Sequence, residues 1–294
     1  SSYLYLPKLK NRSNARRIER QVFGITMNIE RTEIKQPKKT DRNIEKNRLA
    51  FIEQARSIKI SEIDTEFDEK SVYELNASLN EAKLFILGEI HGVKENVDII
   101  YTLFKKFGFK KLALEWDAEL HEKTQRFLET GDLDFDAIQD SPDGRITAEH
   151  FALLKKLKDE NMLEALVFFD GKTKSGEWDE RDANMAKNIL ANLSDSKMLA
   201  IAGNLHAQTE PVVFDGTEHH PMGENIKKRI PTVPFGKIKY LTGQYHNYGV
   251  KDFREKPESV DLPKAKFFKS DEGIYVFELP EAHAATVPNP EEIL

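Results

Sequence analysis

The residues best suited to chemistry stand at the ends of short apolar runs. Residues 83–87 (KLFIL) lead into Gly88-Glu89-Ile90-His91-Gly92, and residues 198–202 (MLAIA) lead into Gly203-Asn204-Leu205-His206. Both runs end in Gly-x-x-His. A short apolar run stopped by glycine predicts a buried strand. The carboxyl ends of parallel strands border the ligand crevice of α/β sheets. Two histidines delivered to one sheet edge can serve as general bases or as metal ligands.

Acidic residues repeat the arrangement. Glu89, Glu115 and Asp170 each close an apolar run, the last two after Leu112-Ala113-Leu114 and Val167-Phe168-Phe169. One acid at a strand end reads as ordinary solubility. Three beside two histidines read as a site, because converging carboxylates are costly unless a cation, an arginine or a shared proton compensates them. Arg181 can supply that charge or grip an anionic substrate, whereas Asp182 is explained by the start of a helix. His91 and Glu95 are spaced to share a helical face. They read either as a base with its carboxylate or as a turn histidine beside a glutamate that favours the helix dipole. The candidate set for water activation is thus His91, Glu89, Glu115, His206 and Arg181. The alternative, a divalent metal, would draw on Glu89, His91, Glu95, Asp170 and His206. With no cysteine in the chain, a metal has only His, Asp and Glu available. His219 and His220 lie within reach of such a site by sequence; His121, His150, His246 and His283 read as surface or packing residues.

These residues require strands at 83–87, 111–115, 165–169, 198–202, 237–241 and 273–279. Helices are expected at 95–107, 119–129, 147–160, 180–193 and 223–229, with one more at 44–58 from the spacing of Leu49, Ile52, Ala55 and Ile58. The alternation predicts an α/β fold: a mostly parallel central sheet covered by helices on both faces, preceded by a basic N-terminal extension. Residues 1–70 are expected to form the basic arm and a helix, 71–280 the α/β domain, and 281–294 a loosely held tail. Residues 130–145 read as a surface connection, and 245–269 as a loop able to fold over the site.

The net charge of −6 is uneven. Residues 1–50 hold thirteen Lys and Arg against five Asp and Glu, leaving −14 on the remainder. Such an arm can meet an anionic surface, but it has few aromatics and no nucleic-acid motif. No apolar run approaches the ~20 residues that span a bilayer, and no signal-peptide core follows Ser1, so a cytoplasmic location is expected. There is no Gly-x-Ser-x-Gly elbow, phosphate loop, dinucleotide loop or His-Glu-x-x-His.

Taken in order, Gly88-Glu89-x-His91-Gly92-x-x-Glu95, Glu115, Asp170, Arg181-Asp182-x-x-Met185-Ala186-x-Asn188, Gly203-Asn204-x-His206 and Met222-Gly223 resemble the erythromycin esterase and ChaN-like superfamily. The resemblance covers roughly residues 80–245. It implies a polar cleft at the strand ends and hydrolysis of an ester, lactone or amide in a small-molecule substrate. His91 would activate water, with Glu89 and Glu115 as partners and His206 completing the site. A related TIKI-type protease branch implies a divalent metal, and the ChaN branch implies haem binding in iron uptake. One residue separates Glu89 from His91 where the esterases have two, which places the motif nearer the ChaN and protease branches.

Overall fold

A computed structural model of the protein describes residues 41–171, 177–214, 216–254 and 263–289. Its elements run α1 (Asp41–Ser57), β1 (Thr65–Phe67), α2 (Glu69–Ala82), β2 (Leu84–Glu89), α3 (Asn96–Phe107), β3 (Lys111–Asp117), α4 (His121–Thr130), α5 (Ala148–Asp159), β4 (Ala165–Asp170) and α6 (Trp178–Ala191). They continue through β5 (Met198–Gly203), β6 (Val212–Phe214), β7 (Thr217–His219), α7 (Met222–Lys227), β8 (Phe235–His246), β9 (Val250–Arg254), β10 (Ala265–Lys269) and β11 (Tyr275–Ala282). Nine strands form one sheet in the order β1-β10-β11-β8-β2-β5-β3-β4, with β9 paired to β8. The four strands β2, β5, β3 and β4 are mutually parallel, whereas the pairs β10–β11 and β8–β9 are antiparallel.

The central strands read as continuous apolar runs because both their faces are buried. Phe85 and Leu87 of β2, Leu112 and Leu114 of β3, and Leu199 and Ile201 of β5 enter one core with helices α1 to α5. The alternate residues Leu84, Ile86, Ala113, Met198 and Ala200 enter a second core under Met185 and Ile189 of α6 and Met222 and Ile226 of α7. The sheet is therefore mostly parallel and covered by helices on both faces, as the sequence predicts. No helix of the described residues is long and apolar enough to cross a membrane.

Three sequence expectations change. Part of the segment grouped with the arm is built into the same core: Phe51 and Ala55 of α1 are buried, and β1 pairs with β10. Residues 1–40 lie outside the described residues. The expected tail is tied down as far as residue 289, because β11 continues to Ala282 and Ala285 and Val287 are buried beyond it, while residues 290–294 lie outside the described residues. The expected loop at 245–269 instead supplies the end of β8 together with β9 and β10, apart from residues 255–262, which lie outside the described residues. In β10, Ala265 and Phe267 point inward between outward lysines, an alternation too short to stand out in a polar stretch.

Candidate active site

Strand order builds the site. β5 lies between β2 and β3, so the ends of β2, β5, β3 and β4 bring Glu89, Gly203, Glu115 and Asp170 side by side. The β3–β4 register slips between Leu114 and Asp117, an irregularity at Glu115 and Trp116 of the kind that re-aims a side chain. Glu115 thereby lies between the two histidines. Its Oε2 is 3.6 Å from His91 Nε2, and its Oε1 is 3.7 Å from His206 Nε2.

On one side, a chain of hydrogen bonds fixes His91. The Tyr240 hydroxyl accepts from Ile90 N and donates to Asn96 Oδ1 at 2.7 Å. That turns the Asn96 amide nitrogen toward Ile90 O and Glu89 Oε2. Glu89 Oε1 is then left to pair with His91 Nδ1 at 3.0 Å, which turns Nε2 toward Glu115 and Gly203. Burial raises the pKa of Glu89 despite its bonds to His91 and Asn96. Burial opposes the charged form of His91 as well, but the bond to Glu89 and the fields of Glu115 and Glu89 outweigh it and raise its pKa. The two groups are hydrogen-bonded at 3.0 Å, so the charge of each bears on the other.

On the other side, Arg181 organises the carboxylates. Its Nε donates to Asp170 Oδ1 at 3.0 Å, and its Nη2 donates to Glu115 Oε1 at 2.8 Å and Asp170 Oδ2 at 2.7 Å. Gly203 N donates to Glu115 Oε2 at 2.8 Å. A Cβ at Gly203 would lie 3.1 Å from His91 Nε2, so glycine here keeps the strand end out of the site. Burial works against ionising Glu115, but the facing imidazoles of His206 and His91 and the guanidiniums of Arg181 and Arg145 hold its carboxyl well below the usual range.

The structure therefore brings together Glu89, His91, Glu115, Asp170, Arg181 and His206. Glu95 is excluded. The left-handed Gly92 turns the chain before α3 begins at Asn96, so His91 and Glu95 share no helical face. Glu95 instead accepts from His283 N at 2.8 Å, and its Oε1 lies 2.7 Å from His283 Nδ1. His219 and His220 remain at the edge: the Trp178 ring packs between His206 and His219, and His220 pairs with Glu224.

Sequence reasoning missed Arg145. The supposed surface connection is pinned by buried Leu133, Phe135 and Ile138, and it delivers Arg145 to the site. Arg145 donates from Nε to Asp143 Oδ2 at 2.7 Å and from Nη1 to Asp170 Oδ2 at 3.2 Å. Its loop is locked to the one carrying His91, since Gly92 N donates to Gly144 O at 3.0 Å. Both glycines have positive φ, and a Cβ on Gly144 would lie 2.6 Å from Gly92 Cα. A cleft of about 360 Å³ opens beside Glu115, Arg145 and Asp170, with Asp143, Trp116 and Tyr248 also on its wall. His91 stands outside that wall, on the Oε2 side of Glu115, with a fifth of its side chain exposed.

The donor set does not suit a divalent cation. Among the described residues, no three His, Asp or Glu side chains are grouped to hold one. Asp170 and Glu115 are engaged by Arg181 and Arg145, and Glu95 has turned to His283, so the expected metal set is not assembled. A haem seated in this cleft would set its propionates against Glu115, Asp143 and Asp170, which already pair with Arg145 and Arg181.

No protein-family model matches the chain, and none of the curated proteins matches it in sequence. Solved structures do match in three dimensions. A succinoglycan biosynthesis protein aligns with a TM-score of 0.55 at 12% identity, over 85% of this chain and 100% of that one. A mutant of the erythromycin esterase EreC, in its open conformation, aligns with a TM-score of 0.52 at 14% identity, over 74% of this chain and 95% of that one. A Bacillus cereus protein aligns with a TM-score of 0.50 at 11% identity, over 83% and 99%. At these identities the likeness is one of fold, and this chain has the α/β fold of the erythromycin esterase and succinoglycan biosynthesis protein structures.

Proposed function

We propose that the protein is a hydrolase that cleaves an ester, lactone or amide with water activated by His91. The observation carrying this reading is the Glu89–His91 pair: Nδ1 is held at 3.0 Å by a buried carboxylate, and Nε2 faces Glu115 at 3.6 Å. In the neutral imidazole, Nδ1–H donates to Glu89 and Nε2 accepts the proton of the attacking water. The resulting imidazolium is stabilised by Glu89 and Glu115. General-base catalysis supplies roughly 10²–10⁴-fold, so charge on the carbonyl oxygen must be stabilised as well. Arg145 suits that task, since it lines the cleft and keeps a third of its side chain exposed. Arg181 is not part of the cleft wall; its Nε, Nη1 and Nη2 all donate within the cluster, as those of Arg145 do to Asp143 and Asp170.

The test is a screen of ester, lactone and amide substrates on wild type and His91→Ala. Turnover is expected to fall by about 10³-fold or more with KM little changed, because the missing group acts in the transition state. Wild-type activity is expected to survive a chelator. Undiminished turnover in His91→Ala would overturn the reading.

A further inference from the structure

The second histidine has a different environment from the first. His206 is 5% exposed and Asp182 is fully buried. His206 Nδ1 lies 2.9 and 3.0 Å from the two oxygens of Asp182, and Oδ1 of the same carboxylate accepts from Met222 N at 2.7 Å. Across the ring, His206 Nε2 is 3.0 Å from Arg181 Nη1. A guanidinium has five N–H donors and no acceptor. The nitrogen facing it must therefore present a lone pair, and the proton belongs on Nδ1, toward Asp182.

We propose that Asp182 and His206 form a tautomer lock that aims Arg181: Asp182 holds the proton on Nδ1, and Nε2 accepts from Arg181 Nη1. His206 is then a positioning residue and not a second base, and Asp182 is a positioning residue behind it. The helix arrangement serves this role. Arg181 and Asp182 are neighbours near the start of α6, so they leave the helix in different directions and meet the same imidazole from its two nitrogen-bearing edges. With Nε2 unprotonated, His206 no longer adds its charge to those that hold Glu115 ionised, and the two guanidiniums and His91 carry that role. A protonated Nε2 would also attract Glu115 at 3.7 Å, but it would set two donors against each other at 3.0 Å. The catalytic consequence of the lock rests on the hydrolase reading; the tautomer itself does not.

The test begins with ¹⁵N-histidine NMR of the full chain at neutral pH, with His206 assigned by loss of its signals in His206→Gln. Nδ1 is expected to be protonated and Nε2 unprotonated. Protonation of Nε2 overturns the proposal whether or not a substrate has been found. In Asp182→Asn, the Met222 N–H retains the amide oxygen and the amide nitrogen turns to His206. The proton is expected to move to Nε2, and kcat to fall on the order of 10²-fold through a misaimed Arg181. A glutamine at 206 can place its oxygen near Nε2, whereas asparagine reaches only the Nδ1 position. His206→Gln is therefore expected to retain at least 10-fold more activity than His206→Asn. Equal inactivity of the two, with both folded by thermal unfolding, overturns the positioning role. Absence of any activity in wild type, with the expected tautomer present, counts against the hydrolase reading alone.

Discussion

His91 is set up to titrate with its neighbours, and that fixes the form of the pH profile. Glu89 and Glu115 favour the imidazolium, so the pKa of His91 lies above its usual value, and a base needing the neutral ring loses activity as pH falls through that raised value. Removing one carboxylate reverses part of the shift. In Glu89→Gln the acid limb of kcat/KM is expected to move to lower pH. The plateau is expected to fall by roughly 10²–10⁴-fold, because the amide no longer holds the productive tautomer. A limb that stays in place would show that Glu89 does not set the charge on His91. Glu89, His91, Glu115, Asp170, Arg181 and His206 were legible in the sequence because each closes an apolar run or opens a helix. Asn96, Tyr240, Asp143 and Arg145 were not. Tyr240 comes from a strand that pairs with β2, and Arg145 from a turn-rich segment, so neither carries a periodic signal toward the site.

The elements around the cleft are joined by backbone hydrogen bonds that no local pattern announces. The six apolar runs all became strands, and each extends at least one residue past its apolar part, in β2, β5 and β4 through Glu89, Gly203 and Asp170. The segment after β11 is the clearest case of structure hidden from sequence. Lys94 N donates to His283 O at 2.8 Å, Ala285 N to Gly92 O at 2.9 Å, and Ala148 N to Thr286 O at 2.9 Å. Thr286 N donates to both oxygens of Glu149 at 3.1 Å. The segment is a strap over the loop that carries His91. Deleting everything from residue 283 onward is expected to lower the melting temperature by about 5–10 °C, at about 0.5–1.5 kcal/mol per lost bond. Activity should fall with it. Unchanged melting would mean that the strap contributes nothing to the fold.

At the scale of the whole molecule, the basic N-terminal stretch and the acidic remainder meet at α1. Phe51 is 1% exposed and packs edge-to-face on Phe135 and Phe151, which belong to the segment leading to Arg145 and to α5. Phe51→Ala is expected to cost about 3–5 kcal/mol, measurable by denaturant unfolding. Removal of residues 1–40 is expected to leave unfolding cooperative. A loss under 1 kcal/mol in Phe51→Ala would place α1 outside the cooperative unit.

Strand order also gives the site a history. Glu89 and Glu115 are made early, yet the strand that fits between theirs, β5, emerges from the ribosome more than 80 residues after Glu115. Until then β2 and β3 lack their shared partner, and the two acids have neither Gly203 N–H nor Arg181 fully in place. The cleft is thus completed by a non-local insertion, the kind of contact whose loop-closure entropy slows folding and leaves strand edges exposed. A nascent chain halted before β5 would hold two separated strand edges and their unneutralised carboxylates, a state for holdase chaperones to recognise.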